Sequence, residues 1–206
     1  MIGIIDYGAG NLQSVKNAFE KIGVETEFIA SAEQLEQASA IVLPGVGSFG
    51  AAMEQLHERN LVAAIRSHAE KNKPLLGICL GLQLLFEESE ESPESVGISV
   101  FSGKFKRFPE MGLKIPQIGW NNLKIDSESR LFSDNSADEY VYFVHSYYLI
   151  TCENIVSATT DYGISFPVAV ERGNIFACQF HPEKSGEAGL KMLRAFAKTA
   201  GEKCRC

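Results

Sequence analysis

The sequence predicts a single-domain α/β fold: a largely parallel sheet flanked by helices, with additional antiparallel strands in the second half. Three observations predict it. Through residue 88, short apolar runs alternate with stretches whose apolar residues recur every three to four positions. That is the pattern of strand–helix repeats joined by right-handed crossovers. The runs are apolar throughout rather than alternating, as strands covered on both faces are. From about residue 98 the pattern changes to short β-rich pieces separated by turn signals.

Residues 2–6 (IGIID) read as a buried strand and residues 7–11 as a glycine-containing loop. Leu12, Val15, Phe19 and Ile22 mark one face of a helix, and Gly23 suits its stop. Residues 25–30 read as a second strand. Ser31 to Ala38 reads as a short helix in which Ser31 and Gln34 fit a capping box. Residues 40–43 (AIVL) form a third strand, ended by Pro44-Gly45, and after the loop PGVGSFG residues 50–58 and 61–72 read as two helices. Residues 74–79 (PLLGIC) form a fourth strand. Leu80 to Glu88 reads as another helix, closed by the acidic run EESEES.

Strand candidates then follow at 98–108, 114–119, 140–150, 155–160, 168–171 and 175–180, with turn signals at Asp161-Tyr162-Gly163 and Arg172-Gly173-Asn174. These suit hairpins added to the sheet or continuing it. Leu190, Leu193 and Phe196 mark a last helix over 185–200. With no internal repeat or linker, residues 1–200 read as one domain and 201–206 as a disordered tail.

The chain has 206 residues, enough for a substantial single core. Hydrophobic residues make up 45% and charged residues 22%, which excludes a disordered chain. The net charge of −7 argues against nucleic acid or an anionic membrane as the main partner. The N-terminus lacks the basic and apolar regions of a signal peptide, and no apolar run approaches the roughly 20 residues of a membrane span. A cytoplasmic location is expected. The five cysteines, Cys79, Cys152, Cys178, Cys204 and Cys206, fit neither a disulfide framework nor a zinc pattern. Cys204-Arg205-Cys206 could hold a soft metal, but a frayed tail with free thiols is the simpler reading. No metal and no cofactor is expected.

The sharpest local feature is Gly77-Ile78-Cys79-Leu80-Gly81, set between an apolar strand and an amphipathic helix. This is the context of a nucleophile elbow, with cysteine in place of serine. The flanking glycines leave room for a tight, strained turn, and the helix N-terminus favours the thiolate, the reactive form. A buried cysteine packed as a small hydrophobe is the competing reading. A cysteine nucleophile needs a base. His57 and His68 lie among charged residues on helices and read as solvated. His145, in YFVHSYY, and His181, in QFHPEKSG, each follow a strand, where ligands bind in α/β sheets. Pro182 biases His181 to an extended backbone, and Glu183 stands two residues on, able to orient an imidazole. The loop Pro44-Gly45-Val46-Gly47 can offer backbone N–H groups to an oxyanion together with that of Leu80, although a lone P-G-x-G is a weak signal. Glu87, Glu88, Glu90, Glu91 and Glu94 read as a solvated charge run.

Taken together, the segments around Cys79, Pro44–Gly47 and His181–Glu183 resemble the signature set of class I (triad) glutamine amidotransferases. IGIIDYGAGN, LPGVGSFG, GICLGLQLLFEESEE, IGWN, YFVHSYY and QFHPEKSG, in this order, are similar to the glutaminase subunits of imidazole glycerol phosphate synthases in histidine biosynthesis. The resemblance runs from Met1 to about Phe196. It implies that Cys79 attacks glutamine, His181 moves the proton and Glu183 orients His181. It also implies that Val46 and Leu80 supply oxyanion donors, and that Gly47, Gln83, His145, Ser146 and Tyr147 bind substrate. The implied partner is a separate (β/α)8-barrel cyclase subunit that takes up the ammonia, with Asn11, Trp120, Tyr142 and Lys184 as interface candidates. The alternatives are a glutaminase subunit of another ammonia-channelling synthase, a partner-free Cys-His hydrolase with the same elbow, and a binding subunit that kept the fold without the chemistry.

Overall fold

A computed structural model describes residues 1–8, 10–136 and 138–204. Arg205 and Cys206, to which the expected tail extends, lie outside the described residues, as does Ala9 of the first loop.

Five strands run parallel at the centre. They are β1 (Ile2–Ile5), β2 (Thr26–Ile29), β3 (Ala40–Gly45), β4 (Leu75–Cys79) and β13 (Ile175–Cys178). Beyond β13 the sheet continues antiparallel through β12 (Ser165–Arg172), β11 (Val156–Asp161) and β8 (Lys124–Ile125), in the order β2-β1-β3-β4-β13-β12-β11-β8. The predicted mixed sheet is therefore present, with its antiparallel strands gathered on one side. Two smaller sheets stand apart from it. One is β10 (Tyr147–Ile150), β6 (Lys104–Arg107) and β5 (Glu88–Ser89); the other pairs β7 (Gln117–Asn122) with β9 (Tyr140–His145).

The apolar strands are buried on both faces because successive side chains alternate between two helical layers. Val42 and Leu76 face α1 (Leu12–Lys21) and α6 (Gly186–Thr199), in a core with Phe19, Leu193 and Phe196. Ile41, Leu43 and Leu75 face the other layer: α2 (Ala32–Gln37), α3 (Phe49–Glu58), α4 (Leu61–Glu70) and α5 (Leu80–Leu84). Phe19 and Phe196, both fully buried, meet edge to face at 6.4 Å and tie the first helix to the last. Cutting either back to alanine would cost about 3–5 kcal/mol. The capping box at α2 is formed, with Ser31 and Gln34 bonding reciprocally. Among the described residues, no helix is long and apolar enough to cross a membrane.

Six local expectations differ from the structure. Strand β3 runs through Pro44 to Gly45, pairing Gly45 with Cys79, instead of ending before them. Helix α5 stops at Leu84 rather than Glu88, because the chain turns to bury Phe86 against Phe101 and Phe105. The acidic run that follows is not simply solvated. The Glu87 carboxylate accepts from the Gly103 N–H at 3.1 Å, Glu90 from Arg107 at 3.0 Å and Glu91 from Phe49 at 2.6 Å. The last of these caps α3, whose own Ser48 makes no side-chain cap, and sets a negative charge at the helix N-terminus. His68 is buried, not solvated. Its Nε2–H donates to the Pro74 carbonyl at 3.1 Å, and burial pulls its pKa down to about 4. His57 is exposed, as expected. The 98–108 candidate is strand only at 104–107, and 140–150 breaks at Ser146 into strands of different sheets.

Candidate functional site

Cys79 is the last residue of β4 and turns the chain into α5. Its backbone sits at φ 55°, ψ −107°, a region that costs a non-glycine residue about 1–3 kcal/mol. The two glycines around it serve close approach rather than unusual dihedrals. A Cβ on Gly81 would stand 1.8 Å from the Leu43 carbonyl oxygen, and one on Gly77 would stand 2.9 Å from the Gly81 oxygen. Strand β3, the elbow and the start of α5 thus close to a distance that only hydrogen at Cα permits. Helix α5 has five residues, so its dipole is a small part of any thiolate stabilisation.

The histidines separate by their partners. His57 is exposed, and His68 is engaged on the far side of α4. His145 is buried, its Nδ1 2.8 Å from the Tyr147 carbonyl oxygen and its Nε2 3.0 Å from Gln117 Oε1. Burial lowers its pKa to about 4, so the ring is neutral. His181 lies just after β13, beside β4. Its Nδ1 donates to Glu183 Oε1 at 2.8 Å, and both side chains are at most 3% exposed. Its buried Nε2 has no protein hydrogen-bond partner that meets normal geometry and lies close enough to the Cys79 sulfur to interact with it electrostatically. Burial alone would depress this imidazole, but the Cys79 thiol and then the Glu183 carboxylate outweigh burial and raise its pKa to about 9. His181 therefore holds a proton readily at neutral pH. Of the four rings it alone has one nitrogen fixed by a carboxylate and the other turned to the thiol.

Cys79 and His181 share the wall of a cavity of about 340 Å³. Every other substrate or oxyanion residue expected from the sequence also lines it: Val46, Gly47, Leu80, Gln83, His145, Ser146 and Tyr147. Gly47 has φ +103°, which favours glycine, and nothing lies within 4 Å of where a Cβ would stand. Glu183 stands behind His181 on a 3-10 turn (Pro182–Lys184). Among the described residues, no cluster of three or more His, Cys, Asp or Glu could hold a metal.

Sequence reasoning gave three residues no part in this site. Gln179 is 1% exposed and puts its carboxamide between the Cys79 sulfur and the Gln83 side chain. It stands two residues before His181 in QFHPEKSG, a spacing that puts two extended residues on one face. The Tyr7 ring is fully buried, with its hydroxyl against Gly45 and no hydrogen-bond partner. Burial, then the Cys79 charge, push its pKa above the ordinary tyrosine value. Glu91 reaches the cavity wall while capping α3.

Three of the four interface candidates form one group, with Trp120 and Lys184 exposed and Tyr142 half-buried between them. Trp120 is 56% exposed and meets Tyr142 edge to face at 6.1 Å, while Lys184 Nζ lies 5.9 Å from the Tyr142 ring. Ile118 and Tyr140, on the same β7–β9 ribbon, are also exposed. Asn11 is exposed at the start of α1, which touches the 3-10 turn that carries Lys184.

A sequence profile of the glutamine amidotransferase class-I family matches residues 3–200. The imidazole glycerol phosphate synthase subunit HisH of Methanothermobacter thermautotrophicus is 50% identical over 198 residues, covering 96% of this chain and 98% of the relative. The protein of the same name from Caldanaerobacter subterraneus subsp. tengcongensis is 45% identical over the whole of both chains, and that from Aquifex aeolicus is 47% identical over 96% of each. A solved glutamine amidotransferase superposes with a TM-score of 0.77 at 22% identity, covering 97% of this chain and 98% of the other. PurLQS from Thermotoga maritima superposes at 0.75 and 18% identity, covering 96% of this chain and 97% of the other. These two structural likenesses speak for the fold alone.

Proposed function

The chain belongs to the class I glutamine amidotransferase family, and on that premise we propose that its cavity hydrolyses glutamine through a Cys79 thioester. The chain serves as the glutamine amidotransferase subunit of imidazole glycerol phosphate synthase in histidine biosynthesis. The alternatives, a glutaminase for another synthase or a partner-free hydrolase, are not favoured, because the relatives named for this synthase match end to end.

The Cys79 sulfur attacks the carboxamide carbon of glutamine. His181 holds the thiol proton on Nε2 and passes it to the departing ammonia. Glu183, already bonded to Nδ1 at 2.8 Å, holds the ring in the tautomer this needs and stabilises its charged form. Backbone N–H groups of Val46 and Leu80 hold the oxyanion, and the loss of one such donor costs about 10²–10³ in rate. Gly47, Gln83, His145, Ser146 and Tyr147 seat the substrate. Water then cleaves the thioester to give glutamate. The observation that carries this reading is His181, buried beside Cys79 with Glu183 on its other nitrogen.

We place this chemistry in residues 1–200, in the cytoplasm, with a (β/α)8-barrel cyclase as the partner subunit. Ammonia released into water at neutral pH is protonated and lost as a nucleophile, so the partner must seat close to Cys79. The aromatic face of Trp120 and Tyr142, with Lys184 and Asn11, supports that seat: exposed aromatic groups of this kind anchor interfaces. In the complex, Cys79→Ala abolishes glutamine-dependent synthesis and leaves synthesis from added ammonia intact. Loss of both activities would give Cys79 a structural role instead.

A further inference from the structure

We infer that Gln179 is a further catalytic residue, its side-chain N–H donating to the Cys79 sulfur whenever that sulfur carries negative charge. The inference rests on the nucleophile reading above. Three observations carry it. Gln179 Nε2 lies 3.8 Å from Cys79 Sγ, within hydrogen-bond reach for sulfur. Gln179 Oε1 accepts from Gln83 Nε2 at 3.2 Å. Both glutamines are buried, at 1% and 5% exposure, so neither amide is free to exchange partners with bulk water. A thiolate can only accept, so an amide wedged against it must present its N–H side. Gln83 donates to the opposite end of the Gln179 amide and fixes that orientation. The two glutamines form a directed chain from the substrate cavity to the nucleophile.

The work of this donor falls at two points. In the resting site it shares the thiolate charge with His181. In the second half of the reaction, water adds to the thioester carbonyl and His181 takes its proton. The carbon–sulfur bond then breaks, its electron pair stays on sulfur, and glutamate leaves. The sulfur departs as an anion into the Gln179 N–H, which eases that departure. Because Gln83 lines the substrate cavity, a ligand that draws on Gln83 also changes how firmly Gln179 is held.

The ionisable groups around the sulfur are His181 with Glu183 behind it, Tyr7 at the end of β1, Cys178 on β13, and His145, Glu91 and Lys184 on the cavity wall. Changing Gln179 to methionine removes the donor while altering none of these charges. The test is the rate of iodoacetamide alkylation at Cys79 at neutral pH, read by peptide mass spectrometry in the full chain, alone and with its partner subunit. In Gln179→Met the rate falls about tenfold, and in Gln179→Glu it falls further. In the complex, Gln179→Met also accumulates the glutamyl thioester. Selective alkylation of wild-type Cys79 that Gln179→Met leaves unchanged would overturn the role of Gln179 alone. A wild-type Cys79 alkylated no faster than the exposed Cys152 would instead overturn the nucleophile reading beneath it. Should the Gln179 variants not fold, Gln83→Met unlocks the same amide, and an unchanged rate there overturns the inference.

Discussion

Replacing Glu183 by glutamine removes one charge and little else, and the structure says how much should follow. The His181–Glu183 hydrogen bond is 2.8 Å long between side chains 3% and 2% exposed, so solvent screens it little. The imidazole pKa stands at about 9 against its ordinary 6.5, a difference worth about 3 kcal/mol. The folded-state value is the higher one. The stabilisation is therefore complete below about pH 6.5 and disappears as the pH rises through about 9. The Cys79 sulfur and then Glu183 raise the value against burial. For Glu183 the scale is that of one hydrogen bond to a charged group, about 1.5–3 kcal/mol. Urea unfolding of both proteins should show Glu183→Gln weaker by about 1.5–2 kcal/mol near pH 6, with the gap falling below about 0.5 kcal/mol near pH 10. Glutaminase turnover of the complex should fall about ten- to hundredfold, since the same charge stabilises the imidazolium formed in the reaction. A stability gap of equal size at both pH values would refute the reasoning, because Glu183 would then act through shape and not through charge.

Gly81→Ala places a Cβ 1.8 Å from the Leu43 carbonyl, backbone against backbone, so β3 and the elbow must part by more than an ångström. The expected cost exceeds about 4 kcal/mol, read as a collapse of the urea midpoint; a near-normal midpoint would show that the elbow has slack. Trp120→Ala removes an exposed ring, so stability of the chain alone changes by less than about 0.5 kcal/mol. Affinity for the partner subunit, measured by calorimetric titration, should fall by at least thirtyfold, about 2 kcal/mol, and an unchanged affinity would move the interface elsewhere.

What the sequence disclosed was what is local. The apolar runs of β1, β3 and β4, the stripe of Leu12, Val15, Phe19 and Ile22, and the capping box of Ser31 and Gln34 each carry their signal within a few residues. The pairs Gly77–Gly81 and His181–Glu183 are equally local, and the sharp turn at Cys79 and the pairing of His181 with Glu183 were legible for that reason. Features fixed by distant partners were not. Glu91 looks like one more surface acid until Phe49, 42 residues away, presents an N–H to it. His68 is the exception, misread although its partner is near: α4 turns it under the Pro74 carbonyl, six residues on. Gln179 carries no local signal beyond its spacing from His181, because its partners are 96 and 100 residues away.

One pairing brings the distant parts together. Strands β3, β4 and β13 are adjacent and parallel, in register as Gly45↔Cys79 and Ile78↔Cys178. Parallel neighbours end at the same edge of the sheet, so the chain leaving each of them emerges at one place. The loop after β3 carries Val46, the elbow after β4 carries the sulfur, and the segment after β13 carries Gln179 and His181. The residues between β4 and β13 fold into the antiparallel strands and the two small sheets, and they return the chain so that β13 runs alongside β4. They also supply His145, Ser146 and Tyr147 to the cavity wall. Those walls can vary with the substrate, but the distance from sulfur to imidazole is held by the β4–β13 ladder. A change that reshapes the inserted strands should alter how glutamine binds before it alters the chemistry, whereas a change that shifts β13 by one residue would turn His181 away from Cys79 and end it.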